Sequence, residues 1–340
     1  MHTWKKMAFA GSAALGFALS ATPGHAQADF YAGKTVSLYV GYSAGGGYDV
    51  YARLVSRYLG KHIPGNPTVV VQNMPGAGSL RAANWIFNVA PKDGTVFGTV
   101  ARGAAFDPLL GLPGAQFDAT KFNWIGSAND EVSVCVTWNP TKVKSFEDLL
   151  TTELVVGGTG GSADTDQFPK VINGVLGTKM RVIAGYPGGN DINLAMERGE
   201  VQGRCGWSWS SVKSTQPDWL KDKKINVILQ LSMAKHEDLP DIPAVIEKAT
   251  TDEQRAILKL VFARQIMGRP FMAPPGVPPE RVAILRKAFM DTMKDPAFVA
   301  EAEKAKLEIT PVSGEKIQEL VIESYKVAPE IAKKAGELLK

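Results

Sequence analysis

KTVSLYVGYSAGGGYDVYARLVSRYLGK, residues 34–61, predicts a β-strand, a glycine turn and an α-helix in direct succession. Alternating apolar residues indicate the strand, and apolar residues at helical spacing follow the three consecutive glycines. The first amides of such a helix have no intrahelical partners, and the helix dipole adds partial positive charge there. This turn therefore suits an anion, although an ordinary structural turn explains the glycines equally well.

The same arrangement recurs and predicts an α/β fold. A strand at 68–71 leads into the turn PGAG, after which Ser79 is expected to cap a helix, and residues 95–100 return as a strand. ELVVGGTGGSADTDQF (153–168) and RVIAGYPGGNDINLAMERGEV (181–201) repeat the pattern. Alternating strands and helices indicate a largely parallel sheet, whose ligands bind at the carboxyl ends of the strands.

The amino terminus predicts export. Residues 1–28 combine a basic start, a short apolar core and small residues at a cleavage site, as in a secretory signal peptide. No cysteine precedes Cys135, so we expect a soluble periplasmic protein without a lipid anchor. Removing the signal removes Lys5 and Lys6, which leaves 36 of the 38 Lys and Arg residues against 34 Asp and Glu. This balance does not favour a nucleic-acid partner.

The two cysteines, Cys135 and Cys205, both lie in strand-like segments. An exported protein is compatible with a disulfide between them, and two buried free thiols fit the sequence equally well.

Enzyme motifs are incomplete in this sequence. GWSWS (206–210) resembles a nucleophile elbow but lacks its final glycine, and Ser210 with Lys213 has no companion motif. No Walker lysine follows a glycine loop, and His62 and His236 do not have metal-site spacing. We therefore predict no catalytic residue, no metal and no cofactor, with a hydrolase on this scaffold as the less favoured alternative.

Three segments resemble the periplasmic receptors of tripartite tricarboxylate transporters, the Bug or TctC type. They are FYAGKTVSLYVGYSAGGGYDVYARL (30–54), VVVQNMPGAGSLRAAN (69–84) and APKDGTVFGTV (90–100). The family typically reads P-F-x-A-G-G-x-T-D-x-x-A-R after a strand, and then V-x-N-x-P-G-A-G-G. The matching residues are Ala44, Gly45, Gly46, Asp49, Ala52, Arg53, Asn73, Pro75, Gly76, Ala77 and Gly78.

The resemblance implies a type II periplasmic binding protein-like fold, in which two α/β lobes joined by crossing strands close around a ligand by a hinge motion. It places the first part of lobe 1 at 29–125, lobe 2 at 126–230, and the return to lobe 1 with the C-terminal helices at 231–340. It also implies a monomer that delivers its ligand to a permease of a large and a small integral-membrane subunit. A receptor that presents ligand to a sensor kinase fits the sequence as well.

In the family, loop amides and hydroxyls of the first lobe hold a small carboxylate and the second lobe completes the pocket. Asp49 fits better as a residue that orients its loop than as a direct ligand of an anion. Arg102 follows a strand and is either a carboxylate clamp or a solvated arginine. The resulting candidate ligand-binding residues are Tyr42, Ser43, Ala44, Gly45, Gly46, Gly47, Asp49, Gly76, Ala77, Gly78, Ser79, Arg102, Thr159, Gly160, Gly161, Ser162, Tyr186, Gly189, Asp191 and Trp207.

Several aromatic residues depart from the family pattern. Tyr42 and Tyr48 replace a typical phenylalanine and a typical threonine or serine. With Tyr186, Trp207 and Trp209 they predict an aromatic wall, and hence an aromatic or longer aliphatic carboxylate as ligand. The alternative is that some of these rings pack in the core.

Overall fold

Two separate β-sheets organise the chain in a computed structural model that describes residues 30–340. The predicted signal peptide lies outside the described residues. The first sheet has the order β11-β4-β10-β3-β1-β2, with β1 parallel to both of its neighbours and β10 antiparallel to β3 and β4. Its strands are β1 (Thr35–Val40), β2 (Thr68–Asn73), β3 (Val96–Thr99), β4 (Asn123–Ser127), β10 (Pro270–Ala273) and β11 (Val312–Ser313).

The second sheet has the order β7-β6-β8-β5-β9. Strand β6 is parallel to β7 and β8, whereas β5 is antiparallel to β8 and β9. Its strands are β5 (Ser133–Trp138), β6 (Leu154–Gly157), β7 (Met180–Ile183), β8 (Gly203–Ser208) and β9 (Ile225–Leu231). Helices pack on both sheets, which confirms the predicted α/β fold. The expectation of a largely parallel sheet is wrong, because both sheets mix parallel and antiparallel pairs.

Twelve helices lie within residues 30–340, and none of them has the length and hydrophobicity that a bilayer crossing would require. They are α1 (Gly47–Leu59), α2 (Leu80–Asn88), α3 (Phe146–Thr151), α4 (Asp164–Leu176), α5 (Gly189–Glu197), α6 (Trp209–Thr215), α7 (Pro217–Lys221), α8 (Asp252–Phe262), α9 (Pro279–Lys294), α10 (Pro296–Lys304), α11 (Gly314–Ser324) and α12 (Pro329–Glu337).

The apolar pattern of α1 determines how the first unit packs. Tyr51, Ala52, Leu54, Val55 and Leu59 form its buried face. They pack with Val36, Leu38 and Val40 of β1, as the spacing in the sequence predicts. This packing holds the preceding glycine turn at the carboxyl end of β1.

The expected cap of α2 is wrong. Ser79 precedes the helix but makes no capping hydrogen bond, and its backbone lies in the left-handed region at φ 76°. Its hydroxyl instead accepts a hydrogen bond of 2.6 Å from the amide of Ala101. Ser79 therefore ties the turn after β2 to the segment that follows strand β3.

The chain crosses from the first sheet to the second between β4 and β5 and rejoins the first sheet at β10. The segment between β9 and β10 stays close to the second sheet, where Phe262 packs on Phe168 at a ring-centroid distance of 4.7 Å. Helix α12 then packs on α8 and also approaches Leu110. The exact lobe boundaries remain a prediction.

Cys135 and Cys205 are directly opposite each other on the antiparallel pair β5 and β8. Their sulfurs are joined in a disulfide. Of the two alternatives that the sequence leaves open, the structure has the bridge.

Candidate functional site

A cavity of about 50 Å³ lies where turns from the two sheets meet, which is room for several water molecules. Helices α1, α4 and α5 begin at Gly47, Asp164 and Gly189, and all three residues line it. The cavity therefore receives the positive ends of three helix dipoles. Its lining residues are Tyr42, Gly46, Gly47, Tyr48, Arg102, Thr159, Ala163, Asp164, Thr165, Gly189, Arg204, Gly206, Trp207, Ser208, Ser211 and Arg269.

The glycine turn after β1 contacts the turn before α5 in the other sheet. The Ser43 hydroxyl donates to Asp191 at 2.7 Å, and the Ser43 amide donates to the carbonyl of Pro187 at 3.2 Å. A Cβ on Gly188 would lie 2.2 Å from the Ser43 hydroxyl, so only glycine allows this approach. Ser43 and Asp191 thus join the two halves of the cleft beside the cavity.

Two further turns, at 76–79 and 159–162, contact each other through their backbones. The amide of Gly78 donates to the carbonyl of Thr159 at 2.9 Å, and the neighbouring Gly160 packs against Ala77. Ser162 is buried and contacts Asp107 instead of lining the cavity. Of these two predicted turns, only Thr159 belongs to the cavity wall.

Asp49 orients the first glycine turn, as its sequence position suggested. Its carboxylate accepts hydrogen bonds of 2.8 Å from each of Gly45, Arg53 and Asn73. Burial raises the pKa of Asp49, but these three donors outweigh that effect and leave the pKa below its ordinary value. The charged carboxylate therefore fixes the loop without lining the cavity.

Arg102 lines the cavity but is already paired across the two sheets. Its Nε lies 2.8 Å from the Asp164 carboxylate, and its Nη1 and Nη2 donate to Gln265 at 2.7 Å and Ser208 at 2.6 Å. Burial alone would lower the pKa of this guanidinium, but Tyr48, Asp164 and Glu131 raise it above its ordinary value. Arg102 therefore connects the sheets with its charge balanced.

Arg269 is a second cavity arginine, and it was not predicted from the sequence. It donates from Nη1 to Ser208 at 2.8 Å and from Nη2 to Ser211 at 2.6 Å, and Nη2 lies 3.5 Å from Glu131. Its guanidinium stands over the ring of Tyr48 at 4.8 Å. Arg269 is thus also held by hydrogen bonds and opposed by an acid.

Arg204 is the third cavity arginine, and it was not predicted from the sequence either. It lies on β8, and its Nη1 donates to the carbonyl of Gly189 at 3.0 Å and to Asn193 at 3.1 Å. Its guanidinium lies 4.5 Å from the centre of the Trp207 ring. A charged residue inside an apolar strand was the available signal, because burying a charge is costly unless something balances it.

The five aromatic residues do not form one wall. Tyr42, Tyr48 and Trp207 line the cavity. Tyr186 instead points its hydroxyl toward Glu200 at 3.5 Å, and Trp209 donates to Asp238 at 2.8 Å. The predicted five-ring surface is therefore not assembled.

The serines of the GWSWS segment serve as hydrogen-bond partners. Ser208 accepts from Arg102 and Arg269, and Ser210 donates to Glu131 at 2.5 Å. The two histidines of the described chain lie elsewhere, His62 on Asp295 and His236 near Asp238. Neither serine therefore contacts a histidine base.

The chain matches the family described as "Tripartite tricarboxylate transporter family receptor" over residues 52–337. It belongs to this receptor family. The family is one of solute-binding receptors, and the two-lobed α/β fold agrees with that membership.

Several known proteins are similar to this chain along most of its length. The "UPF0065 protein in gbd 5'region" of Cupriavidus necator is 25% identical over 344 residues, covering 96% of this chain and 94% of its own. The periplasmic binding protein BugD superposes with a TM-score of 0.72 at 20% identity, covering 90% of this chain and 99% of its own. MatC from Rhodopseudomonas palustris with bound malate gives 0.70 at 16% identity, covering 90% and 99%. These structural likenesses establish the shared fold.

Proposed function

We propose that this protein is a periplasmic receptor that captures a small carboxylate between its two sheets. The observation that carries the proposal is the cationic wall of the inter-sheet cavity, where Arg102, Arg204 and Arg269 accompany three helix N-termini. Asp164 is the one acid among the lining residues, so the wall has an excess of positive charge. Such a wall favours an anion and disfavours a cation or a neutral sugar.

Ligand capture is coupled to closure of the two lobes. Arg102 and Asp164 line the cavity from opposite sheets, and Ser43 and Asp191 join the two sheets beside it. A ligand bound among them contacts both lobes at once, which favours the closed form over an open one. The ligand-binding role of the predicted residues is part of this proposal, with Arg204 and Arg269 added to them.

We further propose that the loaded receptor, as a monomer exported by its signal peptide, docks on a permease of two integral-membrane subunits. Family membership supports this assignment, because the family is named for transporter receptors. Uptake of radiolabelled ligand by cells should stop when either the receptor or the permease genes are deleted. Uptake that continues without the receptor would overturn the transport role.

The binding function is tested by a thermal-melt screen of residues 29–340 with monocarboxylates, dicarboxylates, aromatic acids and the matching uncharged amides. A ligand at about 100 times its Kd stabilises by roughly 2.7 kcal/mol, which raises Tm by a few degrees. Carboxylates should raise Tm and their amides should not. A shift with amides or sugars alone, from protein refolded to remove carried-over ligand, would overturn the carboxylate assignment.

A further inference from the structure

Arg204 differs from the other cavity arginines in its charge balance. Asp164 lies 2.8 Å from Arg102, and Glu131 lies 3.5 Å from Arg269. Among residues 30–340, no carboxylate forms a salt bridge with Arg204, and burial lowers the pKa of its guanidinium. Arginine nevertheless stays protonated in proteins. Its charge therefore has no counter-ion within the described chain.

One edge of the Arg204 guanidinium is also unused. Both of its hydrogen bonds to the described residues come from Nη1, and its buried Nε has no acceptor among them. Nε and Nη2 form the side edge of the group, whose two parallel N–H bonds match the two oxygens of a carboxylate. The central carbon of the guanidinium lies 4.5 Å from the centre of the Trp207 ring, and this contact helps to position the group.

Gly189 allows Arg204 to take this position. A Cβ on Gly189 would lie 2.1 Å from Nη2 and 2.6 Å from the central carbon of the guanidinium. The first residue of α5 must therefore be glycine for the arginine to pack against the helix start. Any larger residue there would displace the guanidinium.

The remaining positive contributions at the cavity are largely offset. Helices α1, α4 and α5 each have an acidic residue in the first turn, namely Asp49, Asp164 and Asp191. Asp164 also pairs with Arg102 and Glu131 opposes Arg269, so Arg204 is the one cavity arginine without an acid partner among the described residues. A second ligand carboxylate would lose its water without gaining a counter-ion, which is costly.

We infer that Arg204 is the counter-ion of the ligand and that the cavity selects compact monocarboxylates. This inference rests on the proposed carboxylate-receptor function and specifies its ligand class. The volume of about 50 Å³ agrees with it, because an engineered cavity that admits benzene measures roughly 150 Å³. A small ligand with a short carbon skeleton and one carboxylate fits both the volume of the cavity and its charge.

Calorimetric titration of residues 29–340 with propionate, lactate, succinate and adipate tests the inference. Propionate or lactate should bind at least about tenfold more tightly than either diacid. Arg204→Gln should weaken that binding by about 100-fold, because truncating one partner of a buried charge pair costs that much. The matched control is Arg181→Gln on the same sheet, an exposed arginine paired with Glu153, which should bind as the parent protein does.

Folding is checked separately from binding. Arg204→Gln removes an unbalanced charge, so the ligand-free Tm should be unchanged or higher. Gly189→Ala is a second variant that keeps the arginine but displaces it, and it should also weaken binding. Tighter binding of the diacids, or unchanged binding in both variants, would overturn the inference and leave the carboxylate receptor intact. Absence of binding by every carboxylate of the thermal-melt screen would overturn the proposed function itself.

Discussion

The amide of Gly78 donates a hydrogen bond of 2.9 Å to the carbonyl of Thr159, which joins a turn of the first sheet directly to a turn of the second. Gly78 has φ 66°, and a Cβ there would lie 2.6 Å from both the Gly160 carbonyl oxygen and the Ala163 amide nitrogen. This backbone-to-backbone contact between the two lobes thus depends on the lack of a side chain at one position.

We expect Gly78→Ala to oppose closure and weaken ligand binding about tenfold or more, because the new methyl group collides with backbone that cannot move independently. Small-angle scattering should show a larger radius of gyration in the presence of ligand than for the parent protein. Gly111→Ala is the matched control, since φ there is 64° and a Cβ would meet nothing within 4 Å. Equal affinities for the two variants would contradict this reading of the contact.

Asp107 should make stability depend on pH. The residue is fully buried, and burial raises the pKa of its carboxyl to about 7, despite hydrogen bonds from Ser162 and Gln167 and the nearby charge of Arg264. Asp164 adds to the increase. In the unfolded chain the pKa returns to about 4. The folded protein therefore holds a proton between about pH 4 and 7 that the unfolded chain has lost.

The free energy of unfolding should consequently fall as pH rises through that window, by at most about 4 kcal/mol, and then level off above pH 7. Asp107→Asn resembles the protonated acid and should remove this component and be more stable than the parent at pH 8. Urea unfolding at pH 5 and pH 8 measures the effect. Asp241→Asn, at an exposed position, serves as control, and an identical pH slope in Asp107→Asn and the parent would exclude the assignment.

The bridge between Cys135 and Cys205 spans a sequence separation of 70 residues. Closing a loop of this length stabilises the fold by about 4 kcal/mol in the chain-entropy description. Replacing both cysteines with alanine should therefore lower Tm by roughly 5 to 10 °C. Titration of thiols in denatured, unreduced protein checks the bridge itself, and finding two free thiols would contradict it.

Ser208 should prove structural, since its hydroxyl is the shared acceptor of Arg102 and Arg269. Ser208→Ala leaves two buried guanidinium groups each short of one acceptor, which should cost about 2 kcal/mol of stability. Denaturant unfolding measures this loss. Esterase and amidase assays on the parent protein should give no turnover, and an activity that the substitution abolishes would revive the hydrolase alternative.

Interactions between near neighbours in the chain could be predicted well. The strand, turn and helix of residues 34–61 follow from apolar spacing and glycine placement, because an amphipathic helix and an alternating strand each present one apolar face. Asp49 was correctly expected to orient its loop for the same reason, since its partners Gly45 and Arg53 are four residues away on either side. The family resemblance supplied the two-lobed arrangement.

Contacts between distant segments could not be predicted in the same way. Ser79 was expected to cap its own helix, but its hydroxyl accepts a hydrogen bond from the amide of Ala101, which follows the next strand along the chain. Arg102 was considered as a carboxylate clamp because it follows a strand, and only the fold reveals that Asp164 already neutralises it. The turns at 76–79 and 159–162 were expected to cradle ligand, yet half of their residues, namely Ala77, Gly78, Thr159 and Gly160, contact each other.

The sequence by itself determined the α/β elements, the glycine turns and the receptor family, since these depend on periodicity and on short motifs. Tertiary structure alone decided which charges are balanced. In the sequence, Arg102, Arg204 and Arg269 are three identical positively charged residues. A buried charge acquires its role from the groups that folding places within a few ångströms of it. Folding brings acids to Arg102 and Arg269 and leaves Arg204, within the described chain, without one.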